Sequence, residues 1–469
     1  MLRLPVFAFI FFLLCACQQE TTTEILLDKR LSGGDTTVFD QSSNAFSLPA
    51  ANTSITRRDN FFIGNAFFRQ PWVSAPASTS SRDGLGPLFN TNSCQGCHIK
   101  DGRGHPPIND EEHFISALVR ISIPASNSDE HKTQLKTSGV VADPVYGGQI
   151  QPRAIMGVKA EAQPQLSYTE IKGAFPDGEQ YSLIKPVLEL SDPAYGTFHP
   201  QLQTSVRVAQ PMIGLGLLEA INEQDLLALA DPADANGDGI SGRSNQVWDR
   251  ARQQTVMGRF GWKASQPNVA QQSLTAFAHD VGIRSTLVND NVCTASQSDC
   301  LQAPHGGEPE ISDEIANKVI FYAKLLAVPA RRDVDNPEVM LGESLFQKIN
   351  CSGCHTIAFT TGSMPGFPEL ENQSIQPFTD LLLHDMGEGL ADNRTDFLAN
   401  GNEWRTPPLW GIGLTKVVNE HTRFLHDGRA RNVQEAILWH GGEAQASRNA
   451  YMSLTIHERQ ALLTFLDSL

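Results

Sequence analysis

The sequence is short of positive charge. Its 36 Lys and Arg residues stand against 52 Asp and Glu, a formal net charge of −16, whereas nucleic-acid backbones are held by clustered cations. Nucleic acid is therefore not an expected partner. Long apolar runs are also missing: the run near the start, Val6–Leu14, is well under the ~20 residues that a bilayer-spanning helix needs. Cysteine is scarce, with eight in 469 residues. Each of the eight has an assignment below, so a dithiol mechanism would have only one loop pair to draw on. What remains is ordinary globular composition, 40% hydrophobic and 19% charged, in a chain long enough for roughly two or three domains.

The first residues read as a targeting segment. Arg3, the short apolar run and Leu14-Cys15-Ala16-Cys17 describe a secretory signal ending in a lipobox, with Cys17 as the lipidated residue. An ordinary signal cleaved nearby is the alternative. Residues 1–17 are thus expected to be a signal peptide, and 18–58, rich in Gln, Thr, Ser, Asn and Gly, a flexible tether. The expected location is the periplasmic face of a bacterial membrane, or the periplasm, where disulfides persist.

Two motifs carry the chemistry: Cys94-Gln95-Gly96-Cys97-His98 and Cys351-Ser352-Gly353-Cys354-His355. Cysteines a turn apart can form thioethers to the two vinyl groups of a haem, and the following histidine ligates the iron. A single Cys-x-x-Cys reads as readily as a zinc knuckle or a redox dithiol. Two of them, both ending in His on an exported chain, point to two covalently bound haem c groups. Cys15 leaves with the signal. Cys293 and Cys300 remain, closing a short polar loop as a disulfide.

Around the motifs the chain repeats. Gly86-Pro87-Leu88-Phe89 leads into the first, and Gly342 to Phe346 into the second. Each half ends in an amphipathic pattern with a polar start, Ser312 into Leu326 and Thr455 into Leu466. The expected fold is mainly α, with two tandem cytochrome c-like domains at 59–332 and 333–469. Runs at His113–Pro124 and Tyr181–Leu190 place a β-containing insertion, about 110–300, inside the first. A second echo pairs Pro211-Met212-Ile213-Gly214 with Pro408-Leu409-Trp410-Gly411. It also pairs Gly258-Arg259 and Asn268-Val269 with Gly428-Arg429 and Asn432-Val433.

That echo bears on the sixth ligands. Val433, Ala436, Ile437 and His440 share one helical face, so His440 points with the apolar stripe and is the candidate ligand of the second haem. His384, Met386 and His426 compete for the role. In the same register the first half places Val269, Gln272, Ser273 and Ala276, with alanine where His440 stands. The first haem is then open, Gln272 faces the open side, and His279 and Asp280 lie one turn on as candidate proton carriers. Alternatively, His279 itself ligates the iron and closes the site. Arg405 suits a haem propionate. Asp234, Asn236, Asp238 and Ile240 match the start of a calcium loop, with Asn245 where a Glu is usual; a plain Asx-Gly turn is the alternative.

The run GPLFNTNSCQGCHIKDGRG, then PMIGLGLLEAI, DANGDGISGR, GRFGWKA, DLLLHDMG, WRTPPLWGIG and HDGRARNVQEAILWHGG, resembles the bacterial di-haem oxidoreductase family. Its members are often labelled thiol oxidoreductases or peroxidases, and they are distantly related to di-haem cytochrome c peroxidases. The resemblance implies a peroxide site at one haem and an electron-transfer role for the other. It implies Gln272 at the peroxide-site position, and His440 in the place where relatives carry Met or Tyr, making a bis-histidine haem. The acidic residue of the relatives has no clean counterpart, with Asp280 nearest. The thiol label finds no support in the cysteine inventory. A lipid-anchored peroxidase-like oxidoreductase is the expectation, drawing electrons from a small redox donor or a protein substrate. A non-enzymatic electron-transfer cytochrome with both haems six-coordinate is the alternative.

Overall fold

The computed structural model describes residues 28–108 and 112–469; the signal, the lipobox and Cys17 lie outside them. Seven helices carry the argument: α1 (Ile55–Arg69), α2 (Asp129–Ser138), α3 (Val269–Ala276), α4 (Asp313–Leu325), α5 (Pro337–Lys348), α6 (Val433–Trp439) and α7 (Ile456–Ser468). The polar residues that open the terminal patterns act as caps. Ser312 accepts from the Ile315 amide, and Thr455 forms a capping box with Glu458.

Each motif is framed by a crossed pair. Helix α1 precedes the first motif and packs along α4, while α5 precedes the second and packs along α7. Both crossings depend on a glycine: a Cβ on Gly64 would overlap the Lys318 carbonyl, and one on Gly342 the Ala461 carbonyl. The second echo is also physical. Gly214 (φ 67°) and Gly411 (φ 73°) occupy the left-handed region, where glycine is unstrained. They pack across the halves, Gly214 against Trp410 and Gly411 against Ile213.

The expectation of a mainly α fold is corrected: the chain is 30% helix and 18% strand, with several small antiparallel sheets. Among the strands of the first half are β1 (Ala117–Ser122), β2 (Gln149–Ile150), β3 (Gln163–Ala174), β4 (Gln180–Ser191) and β5 (Gln203–Val208). They form a β2-β1-β5 sheet, where Val119 lies opposite both Ile150 and Val206, and a long β3–β4 hairpin. Strand also appears in the second half, where Leu383–Asp385 pairs with Glu403–Arg405 and Phe359–Thr360 with Ser374–Ile375. These pieces are two or three residues long, too short for alternation to show in a sequence.

The cores do not follow the expected boundary at 332. One joins Phe61, Phe277 and Tyr322 to Leu382, Trp410 and Leu414; the other joins Val119, Ile121 and Val208 to Phe346, Phe378 and Phe465. The hairpin tip locks onto α7, where buried Arg459 bonds Asp177 at 2.7 Å and Glu179 at 2.6 Å. From residue 28 the expected tether is packed. Ala45, Phe46 and Ala50 sit in the first core, and Lys29 reaches Glu343. Three apolar residues among the polar ones suffice to anchor it. Among the described residues no helix is long and apolar enough to cross a membrane.

Replacing Gly342 by Ala tests the crossing. Helix propensity favours alanine by up to ~1 kcal/mol, but forcing α5 from α7 costs about 1–3 kcal/mol. The expected outcome is a lower urea midpoint, with Gly64→Ala behaving alike; a raised midpoint would show that the helices part freely.

Candidate cofactor site

One continuous cavity of about 650 Å³ reaches from Cys94, Cys97 and His98 to Cys351, Cys354 and His355. The Ser93 side chain caps the turn Cys94–Cys97 by accepting from the Gly96 amide, which sets the two thiols a turn apart. All four motif cysteines are unpaired, and burial pushes each thiol up. Cys293 and Cys300 are joined to each other.

Three histidines in this cavity are held alike. His98 Nδ1 lies 2.7 Å from the Gln210 carbonyl, His355 Nδ1 2.9 Å from that of Phe378, and His440 Nδ1 2.7 Å from that of Ala436. A carbonyl only accepts, so each Nδ1 carries the proton and each Nε2 keeps its lone pair. That is the tautomer and the second bond of a metal-ligating imidazole. Burial lowers the pKa of all three, that of His355 to about 4, with His440 among the lesser causes for His355. The last two rings line the same cavity.

The rivals of His440 fare differently. His384 spends both ring nitrogens, 2.8 Å from Asp380 and 2.7 Å from Glu443. Burial alone would lower its pKa, but the two carboxylates hold it far above the ordinary 6.5. It is an imidazolium and cannot ligate. His426 stacks on Trp404 with centroids 3.7 Å apart, and Met386 lines the cavity with no such constraint.

In the first half Asn268 caps α3 by accepting from Gln271, as Asn432 caps α6 by accepting from Glu435. The two helices thus start in the same register. Gln272, Ser273 and Ala276 all line the cavity, and the Gln272 side chain makes no hydrogen bond among the described residues. Beyond Ala276 the helix loosens into a π turn, Phe277–Val281; such turns cluster at functional sites. Asp280 lines the cavity and accepts from Gln149 at 2.9 Å. His279 Nε2 lies 3.2 Å from Asp290, which Arg250 grips at 2.8 and 2.6 Å. Spacing gave no signal for Arg250 and Asp290, which come from a strand end and a distant loop.

Cations are available for acidic substituents. Arg405 is tied to the carbonyls of Gly261 and Thr406, and burial lowers its pKa to about 10. Arg120 has no side-chain partner among the described residues, and the Arg394 Nε is buried without one; all three line the cavity. Arg394 also pairs with Asp396 at 2.8 Å; thiols, Nδ1-protonated imidazoles and the cation of Arg120 in one largely apolar space fit haem. The calcium candidate fits less well. Asp234 and Asp238 accept from the loop's own amides, as in Asx turns, and Asn245 bonds the carbonyls of Lys263 and Asp396 instead. Ile240 packs against Gly353. Among the described residues no group of three or more His, Cys, Asp or Glu is placed to hold a metal ion.

The sequence model of one protein family, described as "Di-haem oxidoreductase, putative peroxidase", matches residues 26–469. No curated protein and no solved structure matches.

His384→Ala separates the two roles considered for that residue. It strands Asp380 and Glu443 against each other in a buried place, at a cost of about 3–5 kcal/mol. Because the folded pKa of His384 is raised above 6.5, its contribution is fully present below pH 6.5 and is lost as pH rises through the folded value. The stability gap between wild type and variant, read from urea midpoints, should therefore be widest at neutral or lower pH and narrow in alkali. A gap that widens with alkali would contradict the imidazolium.

Proposed function

The chain belongs to the di-haem oxidoreductase family, and from that premise we propose that it is an exported, lipid-anchored c-type cytochrome of peroxidase type. Cys17 would carry the anchor and set the protein on the periplasmic face of a bacterial membrane. Cys94 and Cys97 would bind one haem covalently, with His98 on its iron. Cys351 and Cys354 would bind the other between His355 and His440. Arg405, Arg120 and Arg394 are the candidates to meet the propionates.

One observation supports the reading: His98, His355 and His440 each hold Nδ1 on a backbone carbonyl, whereas His279, in the first half, spends Nε2 on Asp290. The α3 position matching His440 is Ala276, which has nothing to offer a metal. Bound haem supplies the redox chemistry, reduction of a peroxide O–O bond at the first site and storage of an electron at the second.

The chain supplies positioning and protons. Reduction of peroxide to two waters consumes two electrons and two protons. Gln272 can donate its amide N–H to a polar ligand in the first cavity. The Nε2–H of His279 donates to Asp290, which leaves Nδ1 as the atom that takes up and returns a proton. Burial would raise the pKa of Asp290, but hydrogen bonds from His279 and Arg250 hold it well below the carboxylate range. It therefore stays ionised and fixes that tautomer. Electrons would arrive from a small redox donor or a protein substrate.

EPR of the ferric protein tests this. One high-spin and one low-spin signal are expected, with the high-spin signal responding to peroxide. Two low-spin signals in every redox state and no response would indicate an electron-transfer cytochrome instead. His440→Ala should turn the second signal high-spin; an unchanged spectrum would remove His440 from the iron.

A further inference from the structure

A second cavity of about 550 Å³ adjoins the first. Its rim is exposed at Glu130, Pro144 and Asn291, and its floor is buried at Asp143, Gln149 and Gln151. Five residues line both spaces: Gln134, Ala142, Gly148, His279 and Asp290. The wall between the surface cavity and the first cofactor site is thus the His279–Asp290 pair with a strip of backbone at Gly148.

The chemistry of the floor is specific. The amide nitrogens of Gln149 and Gln151 both donate to the His279 carbonyl, at 3.0 and 2.6 Å. A carbonyl only accepts, so these bonds fix which end of each amide is oxygen. The freed oxygens, Gln149 Oε1 and Gln151 Oε1, are buried and accept nothing. Buried acceptors without a donor are costly unless a small donor visits them. The charged groups lining this space are Glu130, Asp143 and Asp290, with no lysine or arginine. An anion is disfavoured there, whereas a small uncharged molecule meets no such repulsion.

We propose that this cavity is the access vestibule of the first haem site and that the His279–Asp290 pair is its gate, admitting a small neutral hydroxylic oxidant of the peroxide class. The inference rests on the first site being open, and it adds the route and the selection. A peroxide enters past Glu130 and Asn291 at the rim, then passes the wall beside the imidazole that handles its proton. The carboxylates of the vestibule keep anionic competitors from the same path.

Gly148 makes the route testable. A Cβ there would meet nothing within 4 Å, and its φ lies outside the left-handed region, so Gly148→Phe fills the passage without strain. Asn291→Trp, an exposed change on the rim, serves as a second obstruction. The probe is cyanide, which is neutral hydrogen cyanide at pH 7, with its association to the ferric first haem followed by the Soret shift. Both variants should keep the wild-type ferric spectrum. Gly148→Phe should slow association by about tenfold or more, the lower part of the range over which local changes move association rates, and Asn291→Trp should slow it less. Wild-type uptake that both variants leave unchanged would overturn the route while sparing the open site. A wild-type protein that takes up no cyanide would overturn the open site, and the route with it.

Discussion

The donation of an imidazole Nδ1–H to a backbone carbonyl is the bond on which the rest of the site depends. It fixes tautomer and ring plane together, and it leaves Nε2 basic inside an apolar space. For His440 the acceptor is Ala436, four residues back, so α6 and the residue that caps its C-terminus supply both partners. For His98 and His355 the acceptors are 112 and 23 residues away, and only the completed fold can provide them. Gln210 immediately precedes the Pro211–Gly214 turn that packs on Trp410. Phe378 is held at φ 54° although it is not glycine, and its ring is buried in the second core. Strain of that kind persists where surrounding packing over-determines it, and here it presents a carbonyl to the Nδ1 of His355.

The same dependence explains why the two cores interpenetrate. A fold of two self-sufficient halves would need no sheet from the first half against the helices of the second. Instead, β1 and β5 share a core with α5 and α7, and Arg459 of α7 is desolvated by the hairpin that its own charge holds in place. The space between is a single cavity, so its walls are jointly owned. Cations from the first half, such as Arg120, stand in the same space as Arg394 and Arg405 from the second. Buried guanidinium groups without full partners are unfavourable unless an acidic group is due to arrive. Arg394 has Asp396 at 2.8 Å and Arg405 has two carbonyls, which leaves Arg120 as the one of the three without a side-chain partner among the described residues.

What the sequence made legible was what is local. Both Cys-x-x-Cys-His motifs, the helix from Val433, the matching Asn268 and Asn432 caps and the glycine-bearing lead-ins all rest on spacings of a few residues, although that helix stops at Trp439 and His440 follows it as an extended C-cap. The strand content was under-read because pieces such as Leu383–Asp385 are shorter than any period. The tether was over-read because its polar composition outweighed Ala45, Phe46 and Ala50, which pack only against distant partners. His384 shows the limit most directly. From spacing it competed with His440, and what removes it is Glu443, 59 residues away, taking its second nitrogen.

The π turn after α3 shows how one local irregularity divides two roles. Wound as an α-helix, the segment after Ala276 would carry His279 and Asp280 along the face that Ala276 opens, crowding both onto one spot. The looser turn at Phe277–Val281 gives each side chain its own surroundings. Asp280 stays among the groups of the first cavity, bonded to Gln149, while His279 stands in the wall shared with the second, bonded to Asp290. The carbonyl of His279 is simultaneously the acceptor for both glutamines of the floor. His279 lies in the last turn, where helix carbonyls lack a partner along the chain, and the two glutamines take it. The looser turn thus places an imidazole beside a passage at the point where the helix end offers a backbone oxygen to orient the groups lining it.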